Sequence, residues 1–320
     1  MFYPLSFKPI STYRIWGGNK LKTHYNKPFK GNNIGESWEL STVQNNISVI
    51  ENGEFSGLNI NELIQKHPED ILGKNVFQKF GYNFPLLFKL IDAADDLSIQ
   101  VHPNDEVAKA KHNSFGKTEM WYVLHAEPNA EIVVGFKPNI TKDIYLENVK
   151  NNTFTAILKT INVKSGDVFF LETGTIHAIG KGIVIAEIQQ TSDLTYRIFD
   201  YNRLEKDGKP QELHTELALD VLNFDNKDVQ IKYNLNKNNA IDLVKCPYFY
   251  TKIIDLEGTL KIEKSNDSFQ VYMILDNPLT IVIDKKDYVF QKGQTILLPG
   301  CITNYEISGQ TKLLEVCIAE

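Results

Sequence analysis

Short runs of β-branched and aromatic residues, broken every few positions by Gly, Asn, Asp or Pro, dominate the chain: EIVVGF at 131–136, GDVFFLETG at 166–174, GIVIAEIQ at 182–189 and TYRIFDY at 195–201. After residue 248 the pattern resumes with YFYTKIIDL, FQVYMILD, LTIVID, YVFQKG, TILLP and KLLEVCIA. Such spacing predicts antiparallel strands closed into a barrel or sandwich. Helical signals are few. NINELIQKHPEDILG at 59–73 has Asn caps, Pro68 to restart a second turn and Gly73 as a stop, so two short helices are expected there. PNDEVAKAKHN at 103–113 carries acids in its first turn and lysines in its last, as the helix dipole favours, and ELHTELALDVL at 212–222 is a further candidate. The polar, Asn- and Lys-rich stretch 224–241 lacks a long apolar run and places a domain boundary between 222 and 223. A first domain of residues 1–222, with a helical insertion near 59–80, and a second of 223–320 are expected.

The two parts share a weak internal repeat. GDVFFLETGTIH at 166–177 aligns with GQTILLPGCITN at 293–304, each a Gly turn, an apolar strand, a tight turn and a final polar residue. That residue is His177 in the first copy and Asn304, a much poorer metal ligand, in the second. The first barrel is expected to be functional and the second a degenerate partner.

Composition narrows the function classes. With 42% hydrophobic and 23% charged residues among 320, the chain has material for a buried core, which excludes disorder, collagen and coiled coil. Forty acidic against 34 basic residues give a net charge of -6, with no basic stretch dense enough for nucleic acid. Cys246, Cys301 and Cys317 lack metal or redox spacing and read as buried apolar residues. The absence of a leader pattern and of long apolar runs predicts a cytoplasmic protein with no membrane partner.

Three segments could carry chemistry. In LSIQVHP, alternation puts Ser98, Gln100 and His102 on one strand face. In KTEMWYVL it groups Lys117, Glu119 and Trp121 opposite Met120, Tyr122 and Leu124. His177 follows a strand and a Gly-containing turn. Singly these have ordinary explanations: a solvent-facing polar face, a surface ion pair, an exposed loop histidine. Together, Gln100, His102, Glu119 and His177 supply two imidazoles, a carboxylate and an amide oxygen, a set able to hold zinc with one position open. His24, His67, His112 and His214 fit less well and read as surface residues.

SIQVHP, GKTEMWYVL, LETGTIHAIG and QQTSDLTYRIFDYNR, in this order, with IWGGNKL and IGESWELS near the start, resemble the type I phosphomannose isomerases of the cupin superfamily. The resemblance runs from about residue 10 to about 222, and the remainder is similar, more loosely, to the second barrel of the short bacterial members. It implies a mainly β fold of two cupin-like, jelly-roll barrels. It also implies a zinc enzyme interconverting mannose 6-phosphate and fructose 6-phosphate through a cis-enediol, acting as a monomer or homodimer on a small phosphosugar. The family's metal ligands fall on Gln100, His102, Glu119 and His177, its arginine on Arg197, its lysine on Lys117, its candidate acid/base on Glu187 and a phosphate-contacting serine on Ser98. Glu187 would need its pKa raised by burial among Ile183, Ile185 and Ile188 to shuttle a proton. Arg197 offers a planar fork for phosphate, against an ordinary salt bridge with Asp193 or Asp200. Trp16 either walls the sugar site or belongs to the core, and Glu36 and Trp38 carry the same ambiguity. Two alternatives stand beside this reading: a non-catalytic cupin sugar-binding protein, and an iron-dependent oxygenase, against which Gln100 argues by filling a position that oxygen would need. Because Asn304 ends the degenerate copy, Asn304→Ala is expected to leave isomerase turnover intact; a large loss in folded protein would refute a purely structural second barrel.

Overall fold

The computed structural model describes every residue except 152, 226 and 320. Residues up to 231 supply two sheets. In one, the strands Gln230–Ile231, Val168–Leu171, Glu119–Ala126, Ile183–Gln190, Leu86–Ala93, Ile10–Gly18 and Ile34–Leu40 lie in that order. In the other, Tyr196–Phe199, Ile99–Val101, His177–Ile179, Glu131–Phe136 and Leu158–Asn162 do so. The two face each other across a core that includes Trp16, Trp121, Ile132, Val134, Ile179 and Ile185. This is the expected barrel, and all of its neighbouring strands pair antiparallel. Gly35 lets the Trp16 ring lie against its backbone, where any side chain would collide.

The second barrel is one curled sheet built on two long strands, Tyr250–Glu263 and Asn304–Cys317, paired along their full length. Its interior holds Ile254, Leu256, Ile281, Phe290, Ile296 and Ile307. The barrels stack back to back. Met120, Tyr122, Ala186 and Ile188 on the outer face of one share a single core with Val271, Met273, Leu314 and Val316 of the other. This explains why Leu86–Ala93 and Ile183–Gln190 are buried at every position: both faces are covered.

Segments also cross between the halves. Leu5–Ser6 pairs with Thr295–Leu298 of the second barrel, and Gln230–Ile231, past residue 222, pairs with Val168–Leu171 of the first. The helical insertion comprises three helices, Ile60–Lys66, Pro68–Leu72 and Lys74–Phe80, the first opened by a reciprocal capping box between Asn59 and Glu62. Backbone bonds from Gly300 N to Ile71 O and from Phe269 N to Leu72 O fasten it to the second barrel. The helix expected at 103–113 forms over Asp105–His112. The one expected at 212–222 shortens to Thr215–Leu219, because His214 is held at its entrance by exchange of backbone and ring bonds with Arg197. Helices at Lys20–Tyr25 and Lys142–Lys150 were not expected; Thr141 caps the latter. His24 therefore lies in a helix, and His112 ends one with Nε2 2.7 Å from the Tyr196 hydroxyl. The three cysteines are free; Cys246 is buried and the other two are half-buried rather than fully buried. Among the described residues no helix is long and apolar enough to cross a membrane.

Leu5 is fully buried in the shared core at the strand that bridges to the second barrel. Leu5→Ala is expected to cost about 2–5 kcal/mol, read as a lower denaturant midpoint with one unfolding transition seen by both fluorescence and circular dichroism.

Candidate active site

Three strands of the first barrel converge on one buried point. Ile99–Val101 carries Gln100 inward and delivers His102 at its end, where Pro103 stops the ladder. Gly174, at φ 85°, makes the turn that returns the chain to His177, and its N–H donates to the His102 carbonyl over 2.9 Å. His177 then pairs with Gln100 across the sheet. Glu119 opens the facing strand.

His102, Glu119 and His177 are all buried, with donor atoms within 4.8 Å of one another. The two Nε2 atoms are 3.2 Å apart. Glu119 Oε1 lies 3.4 Å from His177 Nε2, and Oε2 lies 3.5 Å from His102 Nε2. Each imidazole is oriented from behind: His102 Nδ1–H donates to Leu194 O over 2.9 Å, and His177 Nδ1–H to Thr175 O over 2.8 Å. Both Nε2 lone pairs are thereby turned into the centre, the tautomer a metal ligand needs. Burial, reinforced by Lys117, depresses both imidazole pKa values, that of His177 to about 4, so both stay neutral. Burial pushes Glu119 up to about 7 against the pull of Lys117.

Two lone pairs and a carboxylate facing one another in a dry site call for positive charge. Lys117 Nζ meets part of the demand, 3.0 Å from His102 Nε2 and 3.0 Å from Glu119 Oε2. Even so, neither Glu119 oxygen receives an aligned hydrogen bond. The Gln100 amide donates to His177 Nε2 over 3.3 Å, and a half-turn of its terminal torsion presents the oxygen instead. The donor set therefore fits a divalent cation with nitrogen and oxygen preference. The face that holds Lys117, Glu119 and Trp121 is the barrel's interior and not solvent; the alternation was right and the surface ion pair is a buried one.

In front of this triangle lies a cavity of about 310 Å³, lined in part by Trp16, Ser98, Gln100, Lys117, Glu187 and Arg197. Trp16 both walls the cavity and belongs to the core, so its two readings are compatible. Arg197 makes no ion pair among the described residues. Its Nε donates to Ser98 Oγ over 3.3 Å and its Nη1 to Glu212 O over 3.1 Å, while Asp200 pairs with Arg203.

Glu187 departs from expectation. Burial would raise its pKa, but Lys89 at 3.2 Å, Lys117 and the Trp121 indole N–H, 3.0 Å away, outweigh it and hold the carboxyl below its usual range. Its inward neighbours are the cross-strand partners Lys89 and Trp121, whereas Ile188 points to the opposite face. The network continues from Lys89, over the Trp38 ring, to Glu36, which accepts from Trp38 over 2.8 Å and from Arg14 through both carboxylate oxygens. Arg14 and Lys89 were missed in the sequence. A lone lysine inside the apolar run LLFKLIDA was the available signal, since a buried ammonium needs a buried partner.

An antiparallel barrel that closes two histidines, a glutamate and a glutamine around one internal point, beneath a polar cavity, defines a cupin-type protein with a histidine–carboxylate metal centre. Comparison with known proteins narrows the class. Residues 5–138 match the phosphomannose isomerase type I catalytic domain, and residues 239–318 the mannose-6-phosphate isomerase cupin domain. The chain is 34% identical to mannose-6-phosphate isomerase ManA of Bacillus subtilis, over 97% of this chain and 98% of that one. It is 32% identical to the mannose-6-phosphate isomerase of Streptococcus mutans, with 98% of each covered. The crystal structure of the mannose 6-phosphate isomerase from Bacillus subtilis superposes with a TM-score of 0.90 at 30% identity, covering 98% of this chain and 99% of that one. The chain belongs to the type I mannose-6-phosphate isomerase family.

Because a bound cation would relieve the converging lone pairs, zinc is expected to raise the melting temperature of chelator-treated protein. The stabilisation is about 2.7 kcal/mol when free zinc is about 100 times its Kd. Glu119→Gln is expected to lose most of that increment, measured by calorimetry with and without zinc.

Proposed function

We propose that this chain interconverts mannose 6-phosphate and fructose 6-phosphate, with zinc held by Gln100, His102, Glu119 and His177. The observation that carries the reading is a buried His–Glu–His centre beside a cavity that Gln100 and Lys117, both next to that centre, share with Arg197, a guanidinium free of any carboxylate partner among the described residues. When bound, zinc supplies redox-inert Lewis-acid stabilisation of negative oxygen.

The protein's own groups do the rest. Arg197 and Ser98 hold the phosphate, the fork of the guanidinium matching its oxygens, and so anchor the sugar end that does not react. Glu187, kept ionised by Lys89 and Lys117, takes the proton from C2 of the aldose; the C–H electrons become the C1–C2 double bond and the carbonyl π pair moves onto O1, giving the anion of the cis-enediol. The O2 hydroxyl proton passes to O1, and the same carboxyl returns its proton to C1 as the C2 oxygen becomes the carbonyl. Lys117 steadies negative charge on the sugar oxygens. Trp16, Trp38 and Trp121 wall the cavity and limit water at the carbon acid.

The functional unit in this reading is the barrel of residues 1–222, with 223–320 as its partner. The chain acts in the cytoplasm, as a monomer or homodimer, a setting with which three free cysteines agree.

Purified protein is expected to convert mannose 6-phosphate to fructose 6-phosphate, to stop after chelation and to recover with zinc, with His102→Ala inactive throughout. Glu187→Gln is expected to lower kcat by about 10²–10⁴, and Arg197→Lys to act mainly through KM. Absence of turnover in folded, zinc-loaded protein would instead favour a sugar-binding module.

A further inference from the structure

The strand register shows that the second barrel keeps part of the first barrel's site. In the first, Glu187 sits between Lys89 and Trp121 on adjacent strands. In the second, Glu315 sits between Lys252 and Tyr272. The contacts repeat as well: the Tyr272 hydroxyl donates to Glu315 Oε2 over 2.9 Å, as the Trp121 indole does to Glu187, and Lys252 Nζ lies 3.7 Å from Glu315 Oε1. The metal donors are altered, and among the described residues the second barrel has no group of His, Cys, Asp or Glu gathered to hold a metal. Glu119 faces Leu171, and in the matching place Gln270 faces Leu298. His177 faces Gln100, and there Asn304 faces Glu263.

What remains is more open than its counterpart. The Lys252 and Glu315 side chains are 28% and 13% exposed, against 6% and 3% for Lys89 and Glu187. They border the largest cavity described, about 560 Å³. Tyr250, tethered by its hydroxyl to Asp242, is flanked by two ammonium groups, Lys245 at 5.1 Å and Lys252 at 4.7 Å from the ring centre. Lys261, exposed and 3.7 Å from Glu306 Oε1, adds a third cation, and Lys264 is held in the wall by the carbonyls of Ser268 and Gly300.

We propose that this cavity binds a phosphorylated sugar or polyol without transforming it. Glu315 and Gln270 at the base accept from and donate to hydroxyls, the Tyr250 face covers the carbon skeleton, and Lys245, Lys252 and Lys261 meet the phosphate. With Asn304 in the place of His177 and Gln270 in the place of Glu119, the site lacks the donor group that would hold a cation next to the sugar oxygens, so it binds and does not isomerise. The ligand's chemical class rests on the catalytic reading of the first barrel, whereas the residues that would bind it all belong to the second.

The test is titration calorimetry of the full chain with glucitol 6-phosphate, a polyol phosphate with no carbonyl to isomerise. The expected result is a binding component that Lys252→Met weakens at least tenfold and that Arg197→Ala leaves in place. If Lys252→Met does not fold, as judged by its melting curve, the exposed Lys245→Met serves in its stead. Binding that disappears with Arg197→Ala and ignores both lysine variants would overturn the proposal. Inorganic phosphate binding the second barrel as tightly as the polyol phosphate would also overturn it, since the hydroxyl-recognising base would then contribute nothing.

Discussion

The convergence of two imidazole lone pairs and one carboxylate inside a dry barrel is the constraint around which the first half of the molecule is arranged. Like-signed potentials at 3.2–3.5 Å do not assemble spontaneously. They are imposed by three strands whose other faces are locked into a core. The carbonyls of Leu194 and Thr175 fix each ring's rotation, and Lys117 supplies positive charge beside them. Removal of any of these would let the rings turn or protonate, and the site would lose its appetite for a cation before the fold lost its shape.

A second tier of charge lines the cavity in front of this centre. Lys89, Glu187, Trp121, Trp38, Glu36 and Arg14 form a continuous chain of buried contacts along one wall. Buried ion pairs bring little net stability. Their value here is positional: each carboxylate is held ionised by a fixed cation, so the cavity presents charges of known sign at fixed places. Arg197 lies outside this chain, which leaves its guanidinium for an anion arriving from solvent.

How much of this could be read beforehand depended on whether the signal was local. Alternation within one strand placed Ser98, Gln100 and His102 together, and Lys117, Glu119 and Trp121 together, and both sets do share faces. Alternation could not say that those faces point inward, because that depends on which sheet covers which. Glu187 shows the same limit: burial raises its pKa, as its own sequence context suggests, but Lys89 and Lys117, with the Trp121 indole, all distant in sequence, outweigh it. The repeat at 166–177 and 293–304 was visible as sequence, yet the retained Lys252–Glu315–Tyr272 set was not, since it lies on strands outside that repeat and emerges only from register. Helix Lys20–Tyr25 escaped notice because it is a turn and a half long with no side-chain cap.

The exchanged strands give the chain a timetable. Gln230–Ile231 completes the edge of the first sheet only after the linker has been made, and Leu5–Ser6 has no partner until Thr295–Leu298 appears near the other end. At about 5–20 residues per second, the first strand waits roughly 15–60 s on the ribosome for the last. During that interval Leu5 and the apolar outer face of the first barrel lack Val271, Met273, Leu314 and Val316, the second barrel's share of their common core. Such a nascent chain exposes apolar surface until its end is made, so the second barrel serves the first as a built-in cover.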